Sequence, residues 1–191
     1  MTHTIIIGDG PGGLSAALFL AKAGHTVTVF GQDATPMHHA QLYNYLGIPD
    51  VSGTDFQRIA REHATDHGAT IQDDAVVAID HEGSMVTVRS DERADLTADY
   101  LILAGGKTSQ KLATALGLPV DDGRISVDTE FRTQIDRVYA IGRLVRPERS
   151  QAIISAGAGA TAALDILSRE AGTDVHDWDS PPEHDHDHPN L

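Results

Sequence analysis

Three short stretches of this chain are apolar at consecutive positions: Ile5 to Ile7, the run inside Asp99 to Ala104, and Val138 to Ile141. A half-exposed strand would alternate, so these runs predict strands buried on both faces, as in a parallel sheet. After the first run, Leu14, Ala17, Leu18, Leu20 and Ala21 fall at helical spacing up to Gly24, and Val27, Val29 and Phe30 then alternate as a second strand. Residues 31–52 carry Pro36, Gly47 and Pro49 and read as loop. Asp55 to His67 is a predicted helix ending before Gly68. Ala75 to Ile79 and Met85 to Arg89 alternate as strands joined by a turn at Glu82-Gly83. A helical patch at Leu112 to Leu116, a short strand at Ile125 to Val127 and a small-residue helix at Ser150 to Glu170 complete the pattern. Strand–helix units around a run of shorter strands predict an α/β fold: a single Rossmann-like domain with a parallel central sheet and a small β meander, in three layers.

The periodicity stops after Gly172, where Asp, His and Pro dominate. Residues 1–171 are therefore read as the folded domain and 172–191 as a disordered tail. That tail alternates imidazoles (His176, His184, His186, His188) with carboxylates (Asp177, Asp179, Asp185, Asp187). Such a pattern suits either metal chelation or simple solvation, and without fixed geometry no metal site is assigned.

Composition narrows the chemistry. The 191 residues include no cysteine, which excludes disulfides, thiolate metal sites, iron–sulfur clusters and a redox Cys-x-x-Cys pair. Fourteen basic residues stand against 28 acidic ones, a net charge of −14 that repels nucleic acid phosphates. We read the acidic excess as adaptation to high salt, the alternative being a specific basic partner. There is no apolar run of about 20 residues and no signal-like opening, so a cytoplasmic protein without a membrane span is expected.

The strongest local signal is Gly8-Asp9-Gly10-Pro11-Gly12-Gly13, set between the first strand and the first helix. Here Gly8 permits a tight turn, Gly10 lets the backbone approach a pyrophosphate, and Gly13 lets helix and strand pack closely. First-turn N–H groups and the helix dipole would then face the phosphates. An acid commonly ends the second strand to bind a ribose. In this chain Gly31 holds that place, followed by Gln32, which can hydrogen-bond a ribose, and Asp33. No Gly-Lys-Ser/Thr phosphate loop follows these glycines, and no Gly-x-Ser-x-Gly elbow is present.

Three further blocks carry a family resemblance. They are Gly31 after the second strand; Asn44-Tyr45-Leu46-Gly47 leading to Gly53 before a helix; and Arg149-Ser150-Gln151-Ala152 opening the last helix, with Ser155 one turn on. Together with the fingerprint they resemble the thioredoxin reductase family over roughly residues 3–170. The resemblance implies FAD as cofactor, Val76 offering backbone contact to adenine, and Gln151, Ala152 and the following helix start near the pyrimidine end of the flavin. It also implies a homodimer.

The departures are equally specific. The family's nicotinamide domain has no room between these blocks, and its redox cysteines are absent. Its Ala-Thr-Gly turn stands here as Ala104-Gly105-Gly106, and its Gly-Asp pair, whose aspartate binds the ribityl chain, as Gly142-Arg143. Arg143 suits pairing with phosphate, altered FAD binding, or plain surface charge. The flavin-facing loop is replaced by Pro36-Met37-His38-His39-Ala40-Gln41, where the histidines suit either acid/base work or solvation. No catalytic side chain is assigned. The expectation is a minimal FAD-binding oxidoreductase or electron-transfer flavoprotein served by an external electron donor or acceptor, a protein or a small molecule. The alternatives are a non-catalytic nucleotide-binding sensor or interaction protein, and a metal-handling protein acting through its tail.

Overall fold

A computed structural model describes residues 1–180. The chain opens with β1 (His3–Ile7), α1 (Pro11–Lys22) and β2 (Thr26–Phe30). A 3-10 turn at Pro36–His39 leads to a minimal hairpin, β3 (Gln41–Leu42) and β4 (Val51–Ser52). Then come α2 (Gly53–Asp66), β5 (Thr70–Gln72), and the antiparallel meander β6 (Val76–Glu82), β7 (Met85–Ser90) and β8 (Leu96–Ala98). The chain returns through β9 (Tyr100–Leu103), α3 (Lys107–Ala115), a second small hairpin of β10 (Val120–Asp121) and β11 (Arg124–Ile125), β12 (Val138–Ala140) and α4 (Ala152–Ala171).

The central sheet is parallel throughout, in the order β12-β9-β1-β2-β5. The three unbroken apolar runs form β1, β9 and the edge strand β12, where alternate residues serve opposite layers, while the inner strand β2 keeps its alternation of Thr and Val. On one face Ile6, Tyr100, Ile102 and Tyr139 pack against Leu14, Ala17 and Leu20 of α1 and Ala162, Ala163 and Ile166 of α4. On the other, Ile5, Ile7, Leu101, Leu103 and Val138 pack against Val86 and Val88 of the meander and Leu112 of α3. Helices, sheet and meander are the three layers. Burying each such aliphatic side chain contributes roughly 1.5–3 kcal/mol.

The helical layer is tight because its contact surfaces are small. A Cβ on Gly159 of α4 would lie 2.0 Å from the carbonyl oxygen of Gly12 in α1. A charged cluster fastens α4 further along. Asp165, buried on the inner face, accepts from Arg132 Nε at 2.7 Å and from the fully buried Tyr139 hydroxyl at 2.5 Å. Burial opposes ionisation of Asp165, but the hydrogen bonds from Arg132 and Tyr139 win and hold its carboxyl below the usual range.

Several elements differ from the periodicity. The helix expected at 112–116 begins at Lys107, because its first turn is polar and only Ser109, Leu112 and Ala113 are buried. The strand expected at 125–127 is the two-residue β11, paired with β10. The edge strand β5 and the short β8 were not expected. Neither has a residue run long enough to show a period, and each is held by its neighbour, β2 and β7 respectively. The last helix starts at Ala152, with Gln151 at its N-cap.

After Gly172 no regular structure forms through Ser180, yet this stretch touches the domain. The Val175 N–H donates to Ser168 Oγ at 2.9 Å, and Lys22 Nζ pairs with Asp177 at 3.0 Å and Asp179 at 2.6 Å. His184, His186, His188, Asp185 and Asp187 lie outside the described residues. Among the described residues no group of three metal-ligating side chains comes together.

Candidate functional site

The C-terminal ends of β1, β2, β9 and β12 finish nearly level, and each runs into glycine. Ala104 N–H donates to the Ile7 carbonyl at 2.8 Å, Gly8 N–H to Phe30 at 2.8 Å, and Ile141 N–H to Leu103 at 2.9 Å. Above this edge, in the position expected for ligands of open parallel sheets, lies a cleft of about 420 Å³.

It collects residues far apart in sequence: Gly8, Gly10, Pro11 and Gly12 from the first turn, Gly31 and Gln32 after β2, and Asn44 beyond β3. Val76 from β6, Ala104 and Gly105 after β9, and Gly142, Arg143, Gln151, Ala152 and Ser155 close it. Gly13 lies behind this lining, where a Cβ would fall 1.9 Å from the Gly8 carbonyl oxygen, so its role is helix–strand packing. Gly8 has a φ of +112°, and a Cβ there would meet the Gly105 backbone at 2.6 Å; sterics and conformation both demand glycine.

Two long helices aim their N-termini into this one space. The N-cap of α1 is Gly10 and that of α4 is Gln151. Neither helix has a side-chain cap or an acid in its first turn. Their first-turn N–H groups, which have no partner within the helix, therefore face the cleft with the positive ends of two dipoles. Bare ends of this kind are surroundings that favour negative charge.

The side chains around the rim divide the cleft. Asn44 Nδ2 donates to Gln151 Oε1 at 3.1 Å, a bridge from the β3–β4 connection to the start of α4. Arg143 is exposed on the lining, and among the described residues it has no ion pair. At the other end Asp9, only 5% exposed, is paired with Arg61 of α2 and accepts from the Asp33 N–H at 3.0 Å. Burial outweighs that pairing and pushes the Asp9 carboxyl above its ordinary range.

Of the histidines in the substituted loop, His38 is tied down by the Asp33 carbonyl at 2.9 Å and Thr54 Oγ1 at 3.1 Å, and neither His38 nor His39 lines the cleft. The lining also contains residues not singled out from the sequence: Asp9, Thr35, Asp74, Thr108 and Ser109. A second hollow of about 310 Å³ between α1, α2 and the 45–51 connection is walled mainly by Leu14, Leu18, Tyr45, Phe56 and Ile59, with no convergent polar constellation.

Comparison with known proteins agrees with this geometry. The profile of the pyridine nucleotide-disulphide oxidoreductase family matches residues 2–109 and 45–159. A thioredoxin reductase of Streptomyces clavuligerus is 30% identical over 187 residues, covering 93% of this chain and 54% of that protein. A ferredoxin–NADP reductase of Limosilactobacillus reuteri is 33% identical over 105 residues, covering 53% of this chain and 30% of that one. The chain thus spans about half, or less, of the length of these curated relatives. Among solved structures, a thioredoxin reductase from Gloeobacter violaceus superposes with a TM-score of 0.83 at 16% identity, covering 94% of this chain and 99% of that one. A ferredoxin-flavin thioredoxin reductase from Clostridium acetobutylicum gives 0.77 at 20% identity, covering 90% and 99%. With profile, relatives and fold in agreement, the chain belongs to the pyridine nucleotide-disulphide oxidoreductase family and is thioredoxin reductase-like within it.

Proposed function

We propose that this chain is a FAD-binding oxidoreductase or electron-transfer flavoprotein that exchanges electrons with an external partner. The observation that carries the reading is the convergence of two uncapped helix N-termini on one glycine-floored cleft. FAD needs two such places: a pyrophosphate in mid-molecule and a ring that becomes anionic on reduction. The cleft residues fit it. Gly8, Gly10 and Gly12 leave the backbone bare where a pyrophosphate would lie, and Gly10 begins the helix that would face it. Gln151, Ala152 and Ser155 at the start of α4, braced by Asn44, suit the ring end.

When bound, the flavin supplies the redox chemistry. The chain's own residues bind it, orient it and bias its charge. A helix N-terminus beside the ring favours the reduced, anionic form.

Partner and form follow from what lies between the blocks. Between β9 and β12 the chain makes only α3 and the β10–β11 hairpin, so no internal nicotinamide domain is formed. No cysteine is present to pass electrons to a disulfide. In this reading the electrons come from, or go to, another molecule, and relatives named for ferredoxin support a carrier protein in that role. Homodimerisation, cytoplasmic location and growth at high salt belong to the same proposal.

Arg143 favours a second reading, a nucleotide-binding sensor that keeps the fold without turnover, because a cation replaces the ribityl-binding acid of the family pattern. The visible spectrum of protein purified at high salt without added cofactor separates the two. Stoichiometric FAD, identified after release, supports the flavoprotein. A colourless protein that takes up no added FAD overturns it.

A further inference from the structure

The strand end after β2, where dinucleotide-binding folds commonly present an acid to a ribose, is occupied here by Gly31. That position is not vacant in space. An ideal Cβ on Gly31 would fall 2.3 Å from both Cβ and Cγ of Asp9 and 2.8 Å from its Oδ1. The Asp9 carboxyl, rising from the glycine turn, thus fills the volume that a side chain at 31 would claim. An acid at the variable position of the glycine turn takes up the space that a glycine at the strand end leaves open.

The carboxyl is also held for the purpose. Its Oδ2 takes the Asp33 N–H at 3.0 Å and the Arg61 guanidinium. The Asp9 carbonyl takes Nε2 of the fully buried Gln57 at 2.7 Å, so backbone and side chain are both fixed. No other described residue donates to Oδ1, the carboxyl's remaining contact being its own Asp9 N–H, and Asp9 lines the cleft. An acceptor held through Oδ2 in a residue that lines the cleft, with Oδ1 taken by no other residue, is preorganised for a hydroxyl donor.

We propose that Asp9 is the ribose-recognising residue of this cleft: its Oδ1 accepts from a hydroxyl of the adenosine ribose, replacing the strand-end acid, while Arg61 positions it. The inference rests on the reading of the cleft as an adenine dinucleotide site, and it assigns the adenosine end to the Gly31 side. Burial of Asp9 agrees with it, since a hydroxyl donor would offset part of the cost of keeping that carboxylate charged.

The test combines a ligand deletion with a side-chain deletion on the full chain at high salt. ADP and 2′,3′-dideoxy-ADP are titrated calorimetrically into the parent, Asp9→Ala and Asp9→Asn, and FAD uptake by the parent is measured separately. A hydrogen bond to a charged group corresponds to a preference of about tenfold or more for ADP over the dideoxy analogue in the parent. Asp9→Ala should bind both alike, at the parent's dideoxy affinity. Asp9→Asn, which keeps the packing against Gly31, should retain only part of the preference and guards against an unfolded alanine variant. A parent without preference, or a preference undiminished in both variants, overturns the assignment. Ribose discrimination without FAD uptake leaves Asp9's role standing and removes the flavin reading. FAD uptake without ribose discrimination does the reverse. A parent that binds neither removes both.

Discussion

Gly157 and Gly159 sit two residues apart in α4, and replacing each by alanine should move stability in opposite directions. In a helix interior alanine is favoured over glycine by about 0.5–1 kcal/mol. Nothing lies within 4 Å of a Cβ built on Gly157, so Gly157→Ala should gain that amount. At Gly159 the same methyl would stand 2.0 Å from the Gly12 carbonyl oxygen, 2.9 Å from its carbon and 3.0 Å from Ala16 N. These are backbone atoms of α1 and cannot rotate away, while ordinary contact begins near about 3.5 Å. The helices must part by an ångström or more, against Leu14, Ala17, Ala162 and Ile166 packed between them and the sheet. Overpacking typically costs about 1–3 kcal/mol, and a backbone obstacle argues for the upper end. After the propensity gain, a net loss of about 2 kcal/mol remains. For a domain of this size 1 kcal/mol shifts Tm by about 2–4 °C, so Gly159→Ala should melt about 4–8 °C below the parent and Gly157→Ala about 1–4 °C above it. Differential scanning fluorimetry at one salt and protein concentration reads both. FAD uptake should fall only in Gly159→Ala, because Gly12 belongs to the cleft floor. Equal melting of the two variants would refute the close crossing of α1 and α4.

Other perturbations follow from the same structure. Asp165→Ala strands the buried Tyr139 hydroxyl and should cost about 2–3 kcal/mol by denaturant titration, the half-exposed Arg132 limiting the loss. Because the folded-state pKa of Asp165 lies below its ordinary 3.8, its contribution is complete above that pH and is lost as pH falls further; acid titration of parent and Asp165→Asn should show the two curves converging there. Asp9 runs the other way: its pKa is raised, so its stabilising effect is complete below 3.8 and disappears as pH rises through the folded value. Unfolding of parent and Asp9→Asn without ligand should accordingly show the variant gaining relative stability as pH rises out of the acid range. Arg143→Asp, which restores the acid of the family pattern, should tighten FAD about tenfold, the value of one charge-assisted hydrogen bond, in fluorescence titrations; a loosening of that size would show that Arg143 holds phosphate.

The layers were legible in the sequence because β1, β9 and β12 are apolar on both faces and glycines stand just beyond their ends. Elements such as β5 and β8 were not, since three residues have no period and their pairing is set by neighbours distant in the chain. Glycines on the cleft could be located by spacing alone. Asp9 could not be read that way: its position in the turn is a variable one, and its meaning depends on Gly31, 22 residues later, lying beneath it in space. Both residues are visible in the sequence, but only the fold shows that they meet. His38 misled in the opposite sense, since its loop context suited chemistry while its ring is spent on Asp33 and Thr54.

β9 and β12 are parallel neighbours in the sheet, and everything between Leu103 and Val138 is an excursion whose two ends the sheet already holds together. Loop-closure entropy grows only logarithmically, by about 0.6 kcal/mol for each doubling of length. An excursion several times longer, even one the size of a whole extra domain, would burden the sheet by little more than 1 kcal/mol. Domain content at this point is therefore nearly decoupled from the stability of the sheet, and a domain can be gained or lost here without rebuilding the core.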